Sequence, residues 1–542
     1  MPEKNKVYTA EITGLTSEGS GVCRIEEMAV FVPETAVGDV AEIKVVKVLS
    51  SYAFGIVDRL VTPSPDRCVR PCGAYKKCGG CVYRHISYDA ECRAKDAVVR
   101  DSFRRIGGLS PQFDPFLAAE DTDRYRNKAQ FPLAVNDGKA VCGFYAPRSH
   151  RVVPIEDCPL QPVVFSEIAA AVLDYINSRK IAVYDEKSGT GIMRHIYLRR
   201  GAHSGEIMVC LVARKDISRQ LAPLCRVLAE KFTDVKSVIL NINPAHTNVI
   251  LGEKCLTLFG SDTVSDVMCG NKVEISPLSF YQVNTVQAER LYAKALDYAA
   301  PTGSEIIADL YCGAGTIGLS MAHRARRIVG VEIVPEAVEN AKRNAENNSV
   351  ANAEFYCGDA GKVFAELRKR GCAPDIIVVD PPRKGCSEET LAHIVDAAPE
   401  KVVMISCNPS TAARDAKFLC SRGYTAGRVC GADLFPATRH VETVVLLSKL
   451  KSTHHIEVEL KTDELDLTSA ESKATYDEIK TYVKEHTGLT VSSLNIAQVK
   501  QKCGIIEREN YYKAKSKNSR QPKCPKEKEE AIVDALKFFK MI

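Results

Sequence analysis

The stretch Glu305-Ile306-Ile307-Ala308-Asp309-Leu310-Tyr311-Cys312-Gly313-Ala314-Gly315-Thr316-Ile317-Gly318 decides the fold. Its first six residues read as a buried strand, the glycine-rich run as a tight turn, and the residues after it as a helix. Gly313, Gly315 and Gly318 spell a dinucleotide-binding fingerprint, and Glu332 stands at the distance of the acid that holds a ribose. A nicotinamide enzyme is the first reading. The next strands turn against it. The apolar run 328–331 ends at Glu332, the run 354–356 leads to Asp359, and the run 375–379 ends at Asp380-Pro381-Pro382-Arg383. Successive parallel strands thus bring carboxylates to one edge of a sheet, where open α/β folds bind ligands. A pyrophosphate would be repelled there. The sulfonium and ammonium groups of S-adenosylmethionine suit such acids, and its ribose hydroxyls suit Glu332. The expected fold class is α/β, with a class I Rossmann-like domain for S-adenosylmethionine-dependent methyl transfer.

Further on, Met404-Ile405-Ser406-Cys407-Asn408-Pro409-Ser410-Thr411 reads as the end of a strand, a turn at Asn-Pro, and a helix capped by Ser410. Beside a helix N-terminus the backbone dipole is expected to favour the thiolate of Cys407. For an arbitrary cysteine a buried structural role is the better reading. A thiolate on the edge that also carries a methyl donor can instead attack a pyrimidine. Uracil C5 is a poor nucleophile until a thiolate adds at C6, and a base must then remove the C5 proton. The run Asp433-Leu434-Phe435-Pro436-Ala437-Thr438-Arg439-His440 leads into a strand over 441–447 and sets Glu442 near its start. Glu442 is therefore the candidate base; its plain alternative is an exposed strand residue.

The remaining sequence frames this domain. At 542 residues the chain is too long for one core. A net charge of +5 means that any grip on nucleic acid comes from local basic patches. The first residues lack a signal-peptide pattern and no apolar run reaches membrane-spanning length, so no membrane partner and a cytoplasmic setting are expected. The 21 cysteines then point to metal ligation or catalysis rather than disulfides. Residues 7 to about 60 alternate in the β manner with glycines at the turns, which predicts a five-stranded barrel of the oligonucleotide-binding type. Helical patterns are expected near 88–106 and 163–178, and strands at 192–198 and 207–213. A helix over 288–298 should lead into the βαβ region. Cys72, Cys78, Cys81 and the distant Cys158 supply four soft ligands, which suit zinc or an iron–sulfur cluster, with Cys68 as a nearby spare. Arg124-Tyr125-Arg126-Asn127-Lys128 interleaves basic and aromatic groups, as single-stranded RNA recognition requires; an ion-pairing face is the alternative. Beyond Lys451 come an acidic linker, helical patterns over 475–486 and 492–502, and a basic stretch with Lys513, Lys515, Lys517, Arg520, Lys523, Lys526 and Lys528.

Four runs carry a specific resemblance: Ser279-Phe280-Tyr281-Gln282-Val283-Asn284, Asp380-Pro381-Pro382-Arg383-Lys384-Gly385, Ser406-Cys407-Asn408-Pro409 and His440-Val441-Glu442. They look like those of the RNA (uracil-5-)-methyltransferase family. The resemblance implies Cys407 as nucleophile and Glu442 as base. It implies donor binding by Gln282, Tyr311, Gly313, Thr316, Glu332, Asp359 and Asp380. Phe280 is the candidate for stacking on an extruded base, with Arg126 and Lys128 as further substrate contacts. The cysteine spacing resembles the [4Fe-4S] site of the ribosomal-RNA branch, which places Cys72, Cys78, Cys81 and Cys158 on a cluster in preference to zinc. The implied arrangement is a TRAM-type RNA-binding barrel over 1–62, an iron–sulfur and RNA-recognition domain over 63–275, the catalytic domain over 276–450, and a basic helical appendage over 451–542. The implied substrate is a uridine of 23S ribosomal RNA, modified by a monomer. Methylation of transfer RNA, and a non-catalytic RNA-binding assembly role, are the alternatives.

Overall fold

The strands that position the site are β1 (Ile306–Leu310), β2 (Arg327–Glu332), β3 (Ala353–Cys357), β4 (Ile376–Val379), β5 (Lys401–Ser406), β6 (Tyr424–Ala432) and β7 (Glu442–Lys449). They form one sheet in the order 3-2-1-4-5-7-6, with the short strand Gln112–Phe113 added beyond β6. β1 to β5 run parallel. β7 lies antiparallel between β5 and β6. Every residue of β4 is buried, the continuous apolar reading of a parallel strand covered on both faces. Alternate residues serve two cores. Ile307, Ile376, Val403 and Ile405 pack with Leu291, Tyr292 and Ala295 of the helix Thr285–Ala299. Ala308, Ile377, Val402 and Met404 pack with Phe364 and Ala412 on the other face. Strand order reverses between β1 and β4, which opens a crevice at their C-terminal ends.

A computed structural model describes residues 1–450, 476–503 and 524–539. That sheet is joined, within a unit that ends at Lys451, by three further sheets, the smallest a hairpin of Val264–Met268 and Asn271–Ile275, and the other two larger. The central one has seven strands, including Lys128–Asn136, Met193–Arg200 and Ile207–Ala213, covered by the helices Val163–Ser178 and Ser218–Lys231. The N-terminal one has six strands, not five, and it does not close into a barrel. Its edges are Val7–Glu11 and the two-residue strand Gly14–Leu15, which pairs only with Gly21 and Val22 and is too short to bridge the gap. One face still buries a shared core around Ile12, Val30, Ile43 and Val45. Among the described residues no helix is long and apolar enough to cross a membrane.

The helix predicted near 88–106 is observed as Tyr88–Asp101 followed by a wider turn over Ser102–Gly107. The second unit packs Tyr476–Thr487, Ser493–Lys502 and Lys526–Phe538 around Ile479, Val483, Ile496 and Ile532. Its third helix is not apparent in the sequence pattern, because its many lysines and glutamates mask a short apolar stripe. The acidic linker and the lysines at 513, 515, 517 and 523 lie outside the described residues.

Candidate active site

The glycine-rich turn after β1 is built from backbone that side chains rarely adopt: Tyr311, Gly313 and Gly315 all have positive φ, at 68°, 55° and 77°. A Cβ on Gly315 would stand 2.9 Å from the Phe355 ring, and one on Gly318 would stand 3.0 Å from Asp309 Oδ2. Asp309 Oδ2 accepts from the Gly318 N–H at 2.9 Å, while Asp309 Oδ1 is buried without a partner. Glu332, at the end of β2, accepts from the N–H of Gly313 at 3.0 Å and from Ile333 and Val334 at 2.8 and 2.9 Å. It fastens the turn to the next strand. The Tyr311 hydroxyl donates to Thr390 Oγ1 at 3.2 Å. The Tyr292 hydroxyl lies beside both Thr316 and Gln282, so those two residues share one wall. Asp359 caps the helix Ala360–Lys369 by accepting from the N–H groups of Gly361 and Lys362. That cap commits one of its oxygens to the fold.

Cys407 and Glu442 meet through strand pairing. Ser406, the last residue of β5, pairs with Thr443 of β7, which sets Cys407 alongside Glu442. Glu442 is buried at 4 % exposure, so the exposed-strand alternative does not hold. Burial, with help from Asp380, pushes the Glu442 carboxyl up to about 8. Burial raises Asp380 and Asp309 to about 7 each. Two expectations need correction. The helix Pro409–Cys420 is capped by Asn408, whose side chain accepts from the Ser410 N–H at 3.1 Å; Ser410 lies inside the first turn. And the dipole does not set the charge of Cys407. Burial first, then the carboxyls of Glu442 and Asp380, push its thiol up to about 11. A partial charge at a helix end is outweighed by desolvation and two nearby acids. The opposing pull toward thiolate comes from Arg383, whose guanidinium rests against His440. Sequence reasoning assigns no role to Arg383 or Asp309. Asp309 carries a signal all the same, a charged residue inside a buried strand.

The donor set fits S-adenosylmethionine. Three buried carboxyls biased toward their protonated forms, one with an orphaned oxygen, call for a cation, and the backbone of the turn leaves room for close approach.

Cys72, Cys78, Cys81 and Cys158 line one cavity of about 230 Å³, and Cys68 is not among them. Burial pushes Cys81 up to about 12 and Cys158 up to about 11, each raised further by neighbouring cysteines. The sulfurs surround a space rather than a point: among the described residues no three ligand side chains are placed to hold a single metal ion. Arg126 and Lys128 face the same cavity, where burial and two arginines lower Lys128 to about 8. Arg124, by contrast, is spent on the fold. It pairs with Asp157 at 2.7 Å and donates to the carbonyls of Cys158 and Gln161. Asn127 likewise ties the carbonyl of Gln282 and Thr285 Oγ1. Phe280 is 64 % exposed, so it is not a core aromatic and its ring is free to be covered by a ligand.

The profile of the tRNA (uracil-5-)-methyltransferase family matches residues 87–450, and that of the TRAM domain matches residues 3–57. An uncharacterized RNA methyltransferase of Clostridium tetani is 40% identical over 446 residues, covering 82% of this chain and 97% of its own length. One of Halalkalibacterium halodurans is 42% identical over 445 residues, with the same coverage. Among solved structures, the Pyrococcus abyssi tRNA (uracil-54, C5)-methyltransferase in complex with S-adenosyl-L-homocysteine is similar at 27% identity and a TM-score of 0.65. That match covers 81% of this chain and 99% of the other.

The site's own geometry sets two expected outcomes. Gly318→Ala, whose Cβ would press on Asp309 and Ile328, lowers unfolding free energy by about 1–3 kcal/mol in urea titration and weakens S-adenosylmethionine binding in calorimetry. Alkylation of Cys407 by iodoacetamide, measured by mass spectrometry of its peptide, rises with pH toward about 11, and Glu442→Gln moves that rise to lower pH because one negative neighbour is removed.

Proposed function

This chain belongs to the tRNA (uracil-5-)-methyltransferase family, and we propose that it methylates uridine C5 through a covalent bond between Cys407 and C6 of the ring. It is an S-adenosylmethionine-dependent RNA methyltransferase. The observation that carries the covalent reading is the pairing of β5 with β7, which sets a thiol beside a buried carboxyl at the crevice edge. In this reading the Cys407 thiolate adds to C6, and the displaced electron pair makes C5 nucleophilic. S-adenosylmethionine, when bound, supplies the electrophilic methyl group that C5 takes. Glu442 as carboxylate then accepts the C5 proton, the C5–C6 double bond re-forms, and the thiolate leaves. Asp309, Asp380 and Glu332 hold the donor's cationic groups and ribose, with Gln282, Tyr311, Gly313, Thr316 and Asp359 around them. Phe280 stacks on the extruded base, and Arg126 and Lys128 contact the RNA. Residues 1–62 supply grip on RNA, 63–275 recognition, 276–450 chemistry and 451–542 an appendage. The chain is proposed to act as a monomer in the cytoplasm.

The four cysteines are proposed to hold a [4Fe-4S] cluster, since they ring a cavity instead of converging on one ion. The methylation itself moves no electrons to or from such a group, so its proposed role is to order the protein around it. The target is proposed to be 23S ribosomal RNA, on the resemblance of the cysteine pattern to that branch. A transfer-RNA target is the second reading, favoured by the similarity to the Pyrococcus abyssi tRNA (uracil-54, C5)-methyltransferase.

Cys407→Ala abolishes methylation and forms no adduct, whereas Glu442→Gln accumulates a protein–RNA adduct on a denaturing gel because proton removal precedes release. Methylation of RNA by Cys407→Ala at the normal rate would exclude the covalent route. Nucleoside mapping of ribosomal and transfer RNA with and without the gene separates the two targets. Iron with acid-labile sulfide in the anaerobically purified chain, lost in Cys158→Ser, supports the cluster; zinc without sulfide excludes it. The wild-type kcat/KM for S-adenosylmethionine falls about tenfold per pH unit from about 11 down to about 8, as the Cys407 thiolate takes up its proton, and more steeply below about 8, where the Glu442 carboxylate is lost as well.

A further inference from the structure

The turn between β6 and β7, residues 433–441, has no regular structure of its own, yet its backbone is held from outside. The Leu434 carbonyl accepts from Asn284 Nδ2 at 3.2 Å, that of Phe435 from Lys95 Nζ at 3.2 Å, and that of Pro436 from the Tyr125 hydroxyl at 3.0 Å. The Ala437 N–H donates to Glu91 Oε1 at 2.6 Å, and its carbonyl accepts from the N–H groups of Val82 and Tyr83 at 2.8 and 3.1 Å. Ala437 does this with a φ of 69°, a left-handed conformation that a residue with a Cβ keeps only where its surroundings enforce it. The turn ends at Glu442.

The enforcing groups are buried. Lys95 Nζ bridges Glu91 Oε1 and Asp433 Oδ1, at 2.8 Å each, and none of the three residues is more than 1 % exposed. Arg70 donates to the other oxygen of Glu91 at 2.7 Å, so two cations answer two carboxylates inside the protein. Removing one partner from such a set strands a buried charge, so the network holds or rearranges as a unit. Its connections reach the cysteines. Arg70 lies two residues before Cys72, and Val82 directly succeeds Cys81. The loop that bears three of the four cysteines is therefore bonded to the turn at both ends: at one through Arg70 and Glu91, at the other through Val82 and Tyr83. The Tyr75 hydroxyl ties the loop to itself by donating to the Val82 carbonyl at 3.0 Å.

We propose that Glu91, Lys95 and Asp433 are positioning residues that make the placement of Glu442 depend on the order of the cysteine loop, residues 70–83. If that loop opens, Ala437 loses two donors and Glu91 loses Arg70. Ala437 is then held only through its N–H, by a Glu91 with one cation instead of two, and the turn relaxes together with the glutamate at its end. The dependence is mechanical and needs no electron to pass between the two sites. It rests on the reading of Glu442 as the base.

Hydrogen exchange by mass spectrometry on the full chain tests this, comparing wild type with Cys81→Ser, Glu91→Gln and Tyr88→Phe. The expected result is exchange over 433–440 that is about tenfold faster or more in the first two, with 311–318 at the wild-type rate. Tyr88→Phe removes the hydroxyl that donates to Asp433 Oδ2 at 3.1 Å and accepts from the Ala119 N–H at 2.6 Å; it leaves the charges in place, gives a smaller increase, and serves where Glu91→Gln does not fold. With RNA and S-adenosylmethionine, Cys81→Ser and Glu91→Gln lower kcat, leave the KM for S-adenosylmethionine unchanged, and accumulate covalent adduct. Unchanged exchange over 433–440 in Cys81→Ser and Tyr88→Phe overturns the proposal. So does a loss of activity expressed only in the KM for RNA. If Glu442→Gln also gives no adduct, it is the covalent mechanism that fails, and the exchange rates alone decide the coupling.

Discussion

The antiparallel pairing of β7 with β5 is the constraint on which the site depends. Parallel strands all end at the same edge, so they can deliver only their C-terminal residues to the crevice. A strand that begins at that edge must run the other way. β7 does so, and the register that pairs Ser406 with Thr443 places the end of one strand beside the start of the other. A slip of one residue would turn Glu442 to the opposite face of the sheet and remove it from Cys407. The alternation is locked by burial, because Val444 packs in one core and Val445 in the other.

Charge is arranged around that pair so that the crevice by itself is short of cations. Holding the Glu442 carboxyl near 8, against an ordinary value of 4.5, disfavours its charged form by on the order of 5 kcal/mol. One positive charge about 4 Å away is worth about 4 kcal/mol at the effective dielectric of a protein site. A single cationic ligand therefore offsets most of the penalty, whereas an anionic phosphate would add to it. That comparison separates a sulfonium donor from a dinucleotide more firmly than the glycine spacing does, since both ligands use such a turn.

Much of this is legible in the chain. The strands of the catalytic sheet lie within a residue or two of their apolar runs, and the helix over 163–178 and the strand over 207–213 fall where the pattern puts them. The four cysteines predicted to act together do line one cavity. The features that do not show in the sequence are effects of packing. The sheet edge at Gly14–Leu15 is closed or open according to a pairing partner that no local pattern specifies. Asn408 is hard to recognise as the cap because Ser410 is an equally good capping residue two positions on. Arg124 and Asn127 look like RNA contacts beside Arg126, yet one clamps the Cys158 loop and the other holds Gln282 in place. Basic residues interleaved with aromatics give the same signal whether their partners are phosphates or carbonyls.

The raised thiol of Cys407 is the sharpest of these departures, and it has its origin in the same acids. In the proposed covalent route a carboxyl near the thiol takes a proton late in the reaction, and its presence makes the thiolate costlier at the start. The two demands are reconciled by order of binding. Before a cation arrives, Glu442 favours its protonated form at neutral pH, Asp380 is drawn toward its own, and Cys407 holds its proton. A cation among the acids favours every charged form at once, the thiolate included. The proposed nucleophile would then be unmasked when the methyl donor is in place, and Arg383, exposed and without a carboxylate partner among the described residues, adds to the same bias. A thiol kept neutral at rest is also slow to oxidise, since oxidants attack the thiolate. In that proposed route the acids select the donor's charge and set the moment at which the sulfur becomes reactive.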